Sequence, residues 1–327
     1  MIRSFISIFT AFTMLVSTGC LTTGGFPMVG GGAAGHGVSY LVLDTHSDYV
    51  LNASNHTGRR PIASLTKIAT AKVVLDWAAA TNTPMSTVAT VPPSAGMIGG
   101  PNPIGLAPGD RITLRDAMSS SMMASDNRAA ETLAAFVGAD LLRRGGRGGD
   151  PVAEFVSQMN SLAARKGMVN TSFVNVHGME GPAGSGSSSA EDLARLCLYA
   201  LEDASFTFYT SLTSRRVSYD RQGQQQSFTV KNTNSLVGSQ GIDGIKTGSS
   251  PSAGECVIIT ADRPNTVKDM GDGRKFVKPH RLLVIVLGSG NRFGEAAGLL
   301  NQGWQTYDAW IDAGSPPVSP DKVLKTF

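Results

Sequence analysis

The sequence lacks the short motifs that mark most metal-dependent and nucleotide-binding sites. It contains no His-Glu-x-x-His, no paired cysteines and no cluster of histidines with acids, so we expect no metal site. It also has no Gly-x-Ser-x-Gly elbow and no phosphate-binding glycine loop followed by Lys-Ser/Thr. The five histidines are scattered, at positions 36, 46, 56, 177 and 280. We therefore expect the chain to act without a metal or cofactor.

The sequence also lacks a large excess of either positive or negative charge. Charged residues make up 16% of the 327 residues, and the formal net charge is only +3. One arginine-rich stretch, residues 143–147, lies among glycines and is interpreted as a solvated loop. We therefore expect no nucleic-acid partner. The length of 327 residues is enough for one large domain or two moderate ones, and the 41% of hydrophobic residues allows a sizeable core.

The first twenty residues differ in character from the rest. A positive start is followed by an apolar run over residues 5–16 and by small residues before Cys20. This pattern is typical of a signal peptide, residues 1–19, and the run is too short to span a membrane. The end of the segment resembles a bacterial lipoprotein cleavage site, which predicts an exported cell-envelope protein anchored to a membrane by lipid on Cys20. The alternative is an ordinary signal peptide with a chance cysteine. Under the lipoprotein interpretation, residues 20–37 comprise the anchoring cysteine and a flexible, glycine-rich tether.

Hydrophobic periodicity indicates the elements of the folded part, residues 38–311. The predicted strands are 38–44, 49–52, 217–220, 227–232, 241–246, 255–261 and 282–287. The predicted helices are 64–80, 114–137, 152–166, 190–201 and 293–311. This order predicts an α/β (α+β) fold with one antiparallel sheet, made by an N-terminal hairpin and the C-terminal strands and flanked by helices. Residues of about 81–190 would form a second, mostly helical lobe, and residues 312–327 a C-terminal tail.

Two further cysteines fall on apolar segments. Cys197 lies on the apolar stripe of a predicted helix, and Cys256 lies in a predicted strand. Export would permit a disulfide, but two buried free thiols are the interpretation that we favour.

The first chemical signal is the segment Ser64-Leu65-Thr66-Lys67 at a predicted helix start. Positions three apart share a helix face, so the hydroxyl of Ser64 and the amine of Lys67 can form a hydrogen bond. A lysine with a depressed pKa can activate a serine, and a helix N-terminus favours a developing oxyanion. Alone this pattern is weak, because Ser319-Pro320-Asp321-Lys322 matches it too. Ser-x-Asn likewise occurs twice, at 125–127 and at 289–291.

Three motifs in a fixed order are far more specific than any one of them. Ser-x-x-Lys at 64–67 is followed by Ser-Asp-Asn at 125–127 and by Lys-Thr-Gly at 246–248. In this respect the chain resembles the serine β-lactamases and penicillin-binding proteins.

Longer segments resemble the D-alanyl-D-alanine carboxypeptidases, the low-molecular-mass penicillin-binding proteins. They are 61–67, 155–160, 167–173 with 177–178, and 241–248 with 253–254. The resemblance covers about residues 38–311 and implies the β-lactamase/penicillin-binding-protein fold, an antiparallel sheet flanked by helices with a helical lobe. It also implies a carboxypeptidase that removes terminal D-alanine from peptidoglycan stem peptides ending in D-Ala-D-Ala, with β-lactam antibiotics as acylating inhibitors.

The same resemblance implies a role for each motif residue. Ser64 is the expected nucleophile, Lys67 its general base, and Ser125 the relay that passes a proton to the leaving nitrogen. Backbone N–H groups of Ser64 and Ser249 would form the oxyanion hole. The expected substrate-binding residues are Asn127, Lys246, Thr247, Gly248 and Ser249.

The chain departs from the family pattern at two positions. Asp126-Asn127-Arg128 stands where the family usually has Gly-Asn-Asp, and Ser249 replaces a usually larger residue. Both departures bear on substrate preference or rate.

Three other functions compete with the carboxypeptidase hypothesis. A β-lactamase ranks lower, because no Glu-x-x-x-Asn element that would activate hydrolytic water was identified between Asn127 and Lys246. A binding protein without turnover is disfavoured, since every motif residue is retained. A D,D-endopeptidase acting on peptide crosslinks would use the same site, and the sequence does not separate it from a carboxypeptidase.

Overall fold

The structure, a computed structural model, describes residues 37–181 and 184–326. Its strands are β1 Ser39–Asp44, β2 Val50–Ser54, β3 Arg60–Pro61, β4 Val88–Thr90, β5 Arg111–Thr113, β6 Ser187–Ser188, β7 Ser214–Arg221, β8 Gln224–Lys231, β9 Ile242–Ser250, β10 Gly254–Asp269 and β11 Lys275–Ser289. Its α-helices are α1 Thr66–Thr81, α2 Leu114–Met123, α3 Asn127–Arg144, α4 Pro151–Arg165, α5 Ala190–Leu201, α6 Ala204–Thr210 and α7 Arg292–Asp312.

The predicted antiparallel sheet is confirmed as a five-stranded sheet in the order β2-β1-β11-β10-β9. Successive side chains of a strand point to opposite faces. On β11, Leu283 and Ile285 therefore join the core that contains α1 and α5, whereas Val284 and Val286 pack with α7. Burial on both faces explains why this strand has a continuous apolar run in the sequence.

The prediction of a single sheet is wrong for two of its strands. Segments 217–220 and 227–232 lie in β7 and β8, which form a hairpin in a separate four-stranded sheet, β4-β5-β7-β8. Burial along β7 is interrupted by exposed positions, whereas most of β9 is buried. The hairpin suits a sheet with one covered face, and α2 packs against β7.

The predicted helix 114–137 is in fact two helices, α2 and α3. Between them Ser125 has a positive φ of 61°, which no helix residue adopts. The Asp126 carboxylate then accepts hydrogen bonds from the N–H groups of Arg128 and Ala129 and caps the second helix. The break lies at the Ser-Asp-Asn motif, so it brings that motif to a helix start.

The structure bears on several other expectations. Cys197 and Cys256 are buried free thiols, as we interpreted them. The signal peptide, Cys20 and nearly all of the tether lie outside the described residues. Within the described ranges, no helix is both long and apolar enough to cross a bilayer.

Candidate active site

The three motifs meet in one cleft. Ser64 lies on a 3-10 turn, Ala63–Leu65, that runs directly into α1 and packs against β9. Ser125 lies between α2 and α3, and Thr247 lies on β9. A cavity of about 390 Å³ opens between them. Its lining includes Ser64, Ser125, Thr233, Thr247, Gly248, Ser249 and Arg292. A larger cavity, of about 770 Å³, lies beside α5 and is lined by none of the predicted site residues.

Three oxygen atoms lie within hydrogen-bond distance of the Lys67 amine. Its Nζ lies 3.1 Å from the Ser64 Oγ, 2.7 Å from the Asn127 Oδ1 and 2.8 Å from the His177 carbonyl oxygen. The Asn127 Oδ1 and the His177 carbonyl oxygen can only accept hydrogen bonds, so they can bind the two N–H groups of a neutral amine. The lone pair of that amine then points at the Ser64 hydroxyl, which is the arrangement that a base requires.

The surroundings of Lys67 favour its neutral form. The side chain is fully buried, and this desolvation, followed by the positive charge of Lys246, lowers its pKa well below the ordinary value. Asp126 acts in the opposite direction but does not cancel the effect. A lysine with a strongly depressed pKa beside a serine hydroxyl can act as a general base near neutral pH.

The junction between α2 and α3 holds the second motif rigidly. The buried Asp126 carboxylate accepts from the Ser120 hydroxyl, in addition to its two capping bonds. Asn127 donates from its side-chain amide to the Gly99 carbonyl and from its backbone N–H to Pro101. The side-chain Oδ1 of Asn127 is thereby oriented toward Lys67, and Ser125 lines the cleft.

On β9, Lys246 is buried and Thr247 reaches the cleft. Desolvation, followed by the charge of Arg292, lowers the pKa of Lys246 to about 7. The Thr247 hydroxyl is 2.7 Å from that of Thr233. Because β9 is an edge strand, one of its edges is not paired within the sheet. Such an edge can receive an extended peptide by strand addition.

Two glycines allow close packing around Ser64. A Cβ on Gly248 would lie 3.0 Å from the Ile62 carbonyl oxygen and 3.1 Å from the Ser64 nitrogen. A Cβ on Gly178, whose φ is +83°, would lie 1.9 Å from the Ala63 carbonyl oxygen. Only glycine fits either position without displacing the backbone of the nucleophile.

Sequence reasoning missed two contributors to this cleft. Arg292, at the start of α7, donates from Nη1 to the Gly248 carbonyl, and its Nε is buried without a hydrogen-bond partner in the described part of the chain. His177 contributes its carbonyl oxygen. Desolvation and the charge of Lys67 lower the pKa of its ring to about 4, so the ring is neutral and Nδ1 accepts from the Met179 N–H. No local motif marks Arg292, whereas His177-Gly178 was visible within the family resemblance.

The competing motif matches have other roles. Asn291 of the second Ser-x-Asn caps α7 by accepting from the Gly294 N–H. Ser319 of the second Ser-x-x-Lys precedes a short 3-10 turn in the C-terminal tail. Among the described residues, no group of three or more His, Cys, Asp or Glu is arranged to hold a metal ion.

The sequence profile of the D-alanyl-D-alanine carboxypeptidase family matches residues 33–268. D-alanyl-D-alanine carboxypeptidase DacF of Bacillus subtilis is 30% identical over 230 residues, which cover 69% of this chain and 54% of the relative. DacC of Escherichia coli is 28% identical, over 88% of this chain and 65% of the relative. The chain thus spans between about half and two thirds of the length of these curated relatives. A D-alanyl-D-alanine endopeptidase of Pseudomonas aeruginosa is 30% identical, over 68% of this chain and 66% of its own length.

Solved structures agree with this assignment. The Streptomyces K15 DD-transpeptidase superposes with a TM-score of 0.68 at 26% identity, covering 81% of this chain and 96% of that one. Penicillin-binding protein D2 of Listeria monocytogenes, in its cefotaxime-bound form, superposes with a TM-score of 0.62 at 27% identity, with the same coverage. Since the family profile spans well over half of the sequence, the chain belongs to the D-alanyl-D-alanine carboxypeptidase family.

Proposed function

We propose that the protein is a serine-type D-alanyl-D-alanine carboxypeptidase that releases terminal D-alanine from peptidoglycan stem peptides through an acyl-enzyme on Ser64. Its catalytic domain would span residues 38–311, with a helical lobe over about 81–190. The observation that carries this proposal is the buried Lys67 amine, 3.1 Å from the Ser64 hydroxyl, with a pKa lowered by burial and by Lys246.

Acylation begins with proton transfer from Ser64 Oγ to the neutral Lys67 amine. The oxygen then attacks the carbonyl carbon of the penultimate D-alanine and forms a tetrahedral oxyanion. The backbone N–H groups of Ser64 and Ser249 would stabilise this charge. The close fit of Gly248 against the Ser64 nitrogen supports an oxyanion site between the 3-10 turn and β9.

Collapse of the oxyanion breaks the peptide bond and expels the terminal D-alanine. The leaving nitrogen takes a proton through Ser125, which the positive φ of the α2–α3 junction turns toward the cleft. The Asn127 side chain would bind a substrate amide as well as Lys67. A water molecule then attacks the acyl carbonyl carbon and gives up a proton to the neutral Lys67 amine. The ester bond breaks, the Ser64 oxygen takes that proton back from Lys67, and the shortened peptide leaves with Ser64 restored.

Cations at the far wall of the cleft would select the substrate by its terminal carboxylate. Thr247 supplies a hydrogen bond, Lys246 supplies charge from its buried position on the same strand, and Arg292 adds a second cation on this wall. A β-lactam carries a carboxylate and a reactive acyl group, so it would enter the same site and acylate Ser64. The β-lactam-bound structure of the Listeria neighbour supports this partner class.

The proposal is tested by time-resolved intact mass spectrometry of the protein mixed with benzylpenicillin, together with an assay of D-alanine release from a peptide ending in D-Ala-D-Ala. We expect a long-lived adduct of one drug molecule on Ser64, and release of D-alanine. Ser64→Ala should abolish both. The matched control is Ser319→Ala, which alters the second Ser-x-x-Lys match and should leave both unchanged.

Two results would contradict the proposal. An adduct that disappears as fast as the drug is consumed would indicate a β-lactamase. Folded protein that forms no adduct and releases no D-alanine would indicate a binding protein, whatever its motifs.

A second candidate, D,D-endopeptidase activity on peptide crosslinks, is supported by the endopeptidase relatives. It uses the same residues and differs only in the group that leaves. A crosslinked dimeric muropeptide separates the two activities, because an endopeptidase converts it to monomers whereas a carboxypeptidase removes only terminal D-alanine.

The family acts on cell-wall peptides, so we place this protein in the cell envelope. We propose that residues 1–19 are removed and that Cys20 carries a lipid anchor. The mass of the protein extracted from membranes tests this directly. We expect the mass of a chain beginning at Cys20 plus an acyl-glyceryl group, and an unmodified cysteine would refute the anchor.

A further inference from the structure

Strands β10 and β11 continue well beyond the central sheet. The pairing of β9 with β10 ends at Ala261, and the pairing of β1 with β11 ends at Leu282. Residues 263–280 therefore form a two-stranded projection, neither edge of which pairs with another strand of the described residues, and we call it the arm. Its strands pair from Arg263–His280 to Asp269–Lys275, a length of roughly 20 Å at about 3.3 Å per residue.

The arm exposes apolar side chains that the rest of the sheet buries. The exposed fractions are 55% for Val267, 54% for Met270, 52% for Phe276 and 48% for Val277. A two-stranded hairpin is marginal in water by itself, and exposed apolar patches of this kind mark sites of association. The arm therefore has the properties of a surface that acts in contact with something else.

The strand pairing sorts the arm into two unlike faces. Lys268 pairs with Phe276 and therefore shares a face with it, and the Met270–Arg274 pair follows two residues further on the same side. Lys278, which pairs with Thr266, belongs to this face as well. On the opposite face Asp269 pairs with Lys275, and Val267 pairs with Val277. One face thus carries lysine, arginine, methionine and phenylalanine, with Asp272 at the turn as the carboxylate that pairs with Arg274.

The charge of the arm identifies the chemistry of its partner. It contains the cations Arg263, Lys268, Arg274, Lys275 and Lys278 and the carboxylates Asp269 and Asp272. At its base Arg263 forms an ion pair with Asp308, and Lys278 contacts Ser315, which leaves Lys268, Arg274 and Lys275 as the outer cations. This excess of cations disfavours a second copy of the arm, because like charges would repel. Pro264 and Pro279 at its base lack an N–H, and edge prolines and lysines discourage strand addition. A partner that is both anionic and apolar can pair with the cations of this face and cover its apolar side chains.

We propose that the arm docks on an anionic lipid bilayer, with Phe276 and Met270 among the headgroups and the cations against the lipid phosphates. Aromatic and apolar side chains with flanking lysines are the composition of interfacial membrane contacts. Docking also sets a height for the cleft. Cys256 pairs with Gly248, and Met270, directly after β10, lies fourteen residues further along the chain, so at about 3.3 Å per residue the candidate active site stands at most roughly 45 Å from the membrane.

The test uses a fluorescent probe on the arm of the full chain. Phe276→Cys in a Cys20→Ser background is labelled with an environment-sensitive dye, because Cys197 and Cys256 are buried. Vesicles of phosphatidylcholine with phosphatidylglycerol should shift the emission to the blue, and vesicles of phosphatidylcholine alone should not. The matched control carries the dye at Met97→Cys, which is 84% exposed and lies outside the arm, and its emission should not shift.

Charge variants make the test specific. Lys268→Glu should reduce the blue-shifted fraction at least about five-fold at sub-saturating lipid, because it removes a cation and adds an anion. Lys231→Glu, the same change at an exposed position outside the arm, should leave it unchanged. Benzylpenicillin acylation should be normal in all variants, which verifies their folding. No shift at position 276 would overturn the proposal. So would a shift independent of anionic lipid, or one produced by raising the protein concentration without vesicles, which would indicate a second copy.

Discussion

The regions next to the two ends of strand β10 depart from the usual rule that charged side chains are exposed and large apolar side chains are buried. At the end beside the cleft, the neighbouring strand buries Lys246, and Lys67 is buried a few ångströms from Ser64. At the other end, Met270 and Phe276 stand in solvent. Charged groups are normally outside and large apolar groups inside. Both ends depart from that rule, and both are the places where we propose contact with another molecule.

The two departures are stabilised differently. The buried polar groups of the cleft are held by several partners each, as for Lys67 and Asp126. Such partners offset the cost of desolvation. The apolar groups of the arm have no comparable packing and depend on a contact from outside. The cleft is therefore preorganised, whereas the arm acquires its contacts on binding.

The largest effect is expected from removing the buried amine of the cleft. Lys67→Met should lower the rate of benzylpenicillin acylation by about 10³-fold, because the general base is lost. Lys72→Met, on the same helix, removes the ion pairs with Asp76 and Asp203 and should destabilise the fold with little change in acylation. Mass spectrometry and thermal melts measure both. Acylation of Lys67→Met at the normal rate would refute the base assignment.

A smaller loss is expected from crowding the nucleophile. Gly248→Val places a side chain against the Ser64 nitrogen and should slow acylation about 10²-fold, comparable to the loss of one oxyanion donor. Gly298→Ala, in α7, has no atom within 4 Å of the added Cβ and should leave the rate unchanged. It should raise stability by up to about 1 kcal/mol, because alanine is the better helix former. Equal acylation rates in the two variants would show that Gly248 does not border the reacting groups.

The buried amine of Lys246 should be visible in the pH dependence of stability. Its pKa is about 7 in the folded protein and near 10.5 in the unfolded chain, so between these values the unfolded state binds one more proton. The free energy of unfolding should then rise with pH by about 1.4 kcal/mol per unit from this group. Denaturant unfolding from pH 7 to 9.5 should show a smaller rise in Lys246→Met. Removing Lys246 also relieves Lys67, which changes the slope in the same direction. Lys231→Met, at an exposed lysine, should keep the full slope, and a full slope in Lys246→Met would contradict the depressed pKa.

The smallest effect is expected at the arm. Phe276→Ser should change the free energy of unfolding by less than about 0.5 kcal/mol and leave acylation unaltered, because the side chain is half exposed. Ile259→Ala, on β10 within the central sheet, should cost about 2–5 kcal/mol, since Ile259 is fully buried. Urea unfolding compares them. A large loss in Phe276→Ser would mean that the arm is part of the core.

Local patterns predicted much of this structure. The apolar runs gave the central strands because those strands are buried on both faces. The three-residue spacing of Ser64 and Lys67 predicted their hydrogen bond, because a helical turn alone is sufficient to bring them together. These features depend on neighbours in the chain.

Features that depend on distant contacts were not predicted. The break at Ser125 was missed because apolar periodicity continues on both sides of it, although Asp126 is a recognisable N-cap. The arm was missed because its exposed strands have no apolar run. Arg292 enters the cleft only because α7 begins beside Gly248, a contact that links residues 44 positions apart in the sequence.

Gly178 has a consequence for the evolution of drug tolerance. A target enzyme can escape an antibiotic by acquiring a bulkier wall beside its nucleophile. Here every replacement of Gly178 adds an atom 1.9 Å from the Ala63 carbonyl oxygen and 2.9 Å from the Ser64 nitrogen, so it displaces the backbone of the proposed nucleophile. Under the proposed acylation by β-lactams, a substitution at this position would therefore impair the enzyme itself. A substitution at Gly178 is therefore not a route by which the chain can exclude a compound that packs against this glycine.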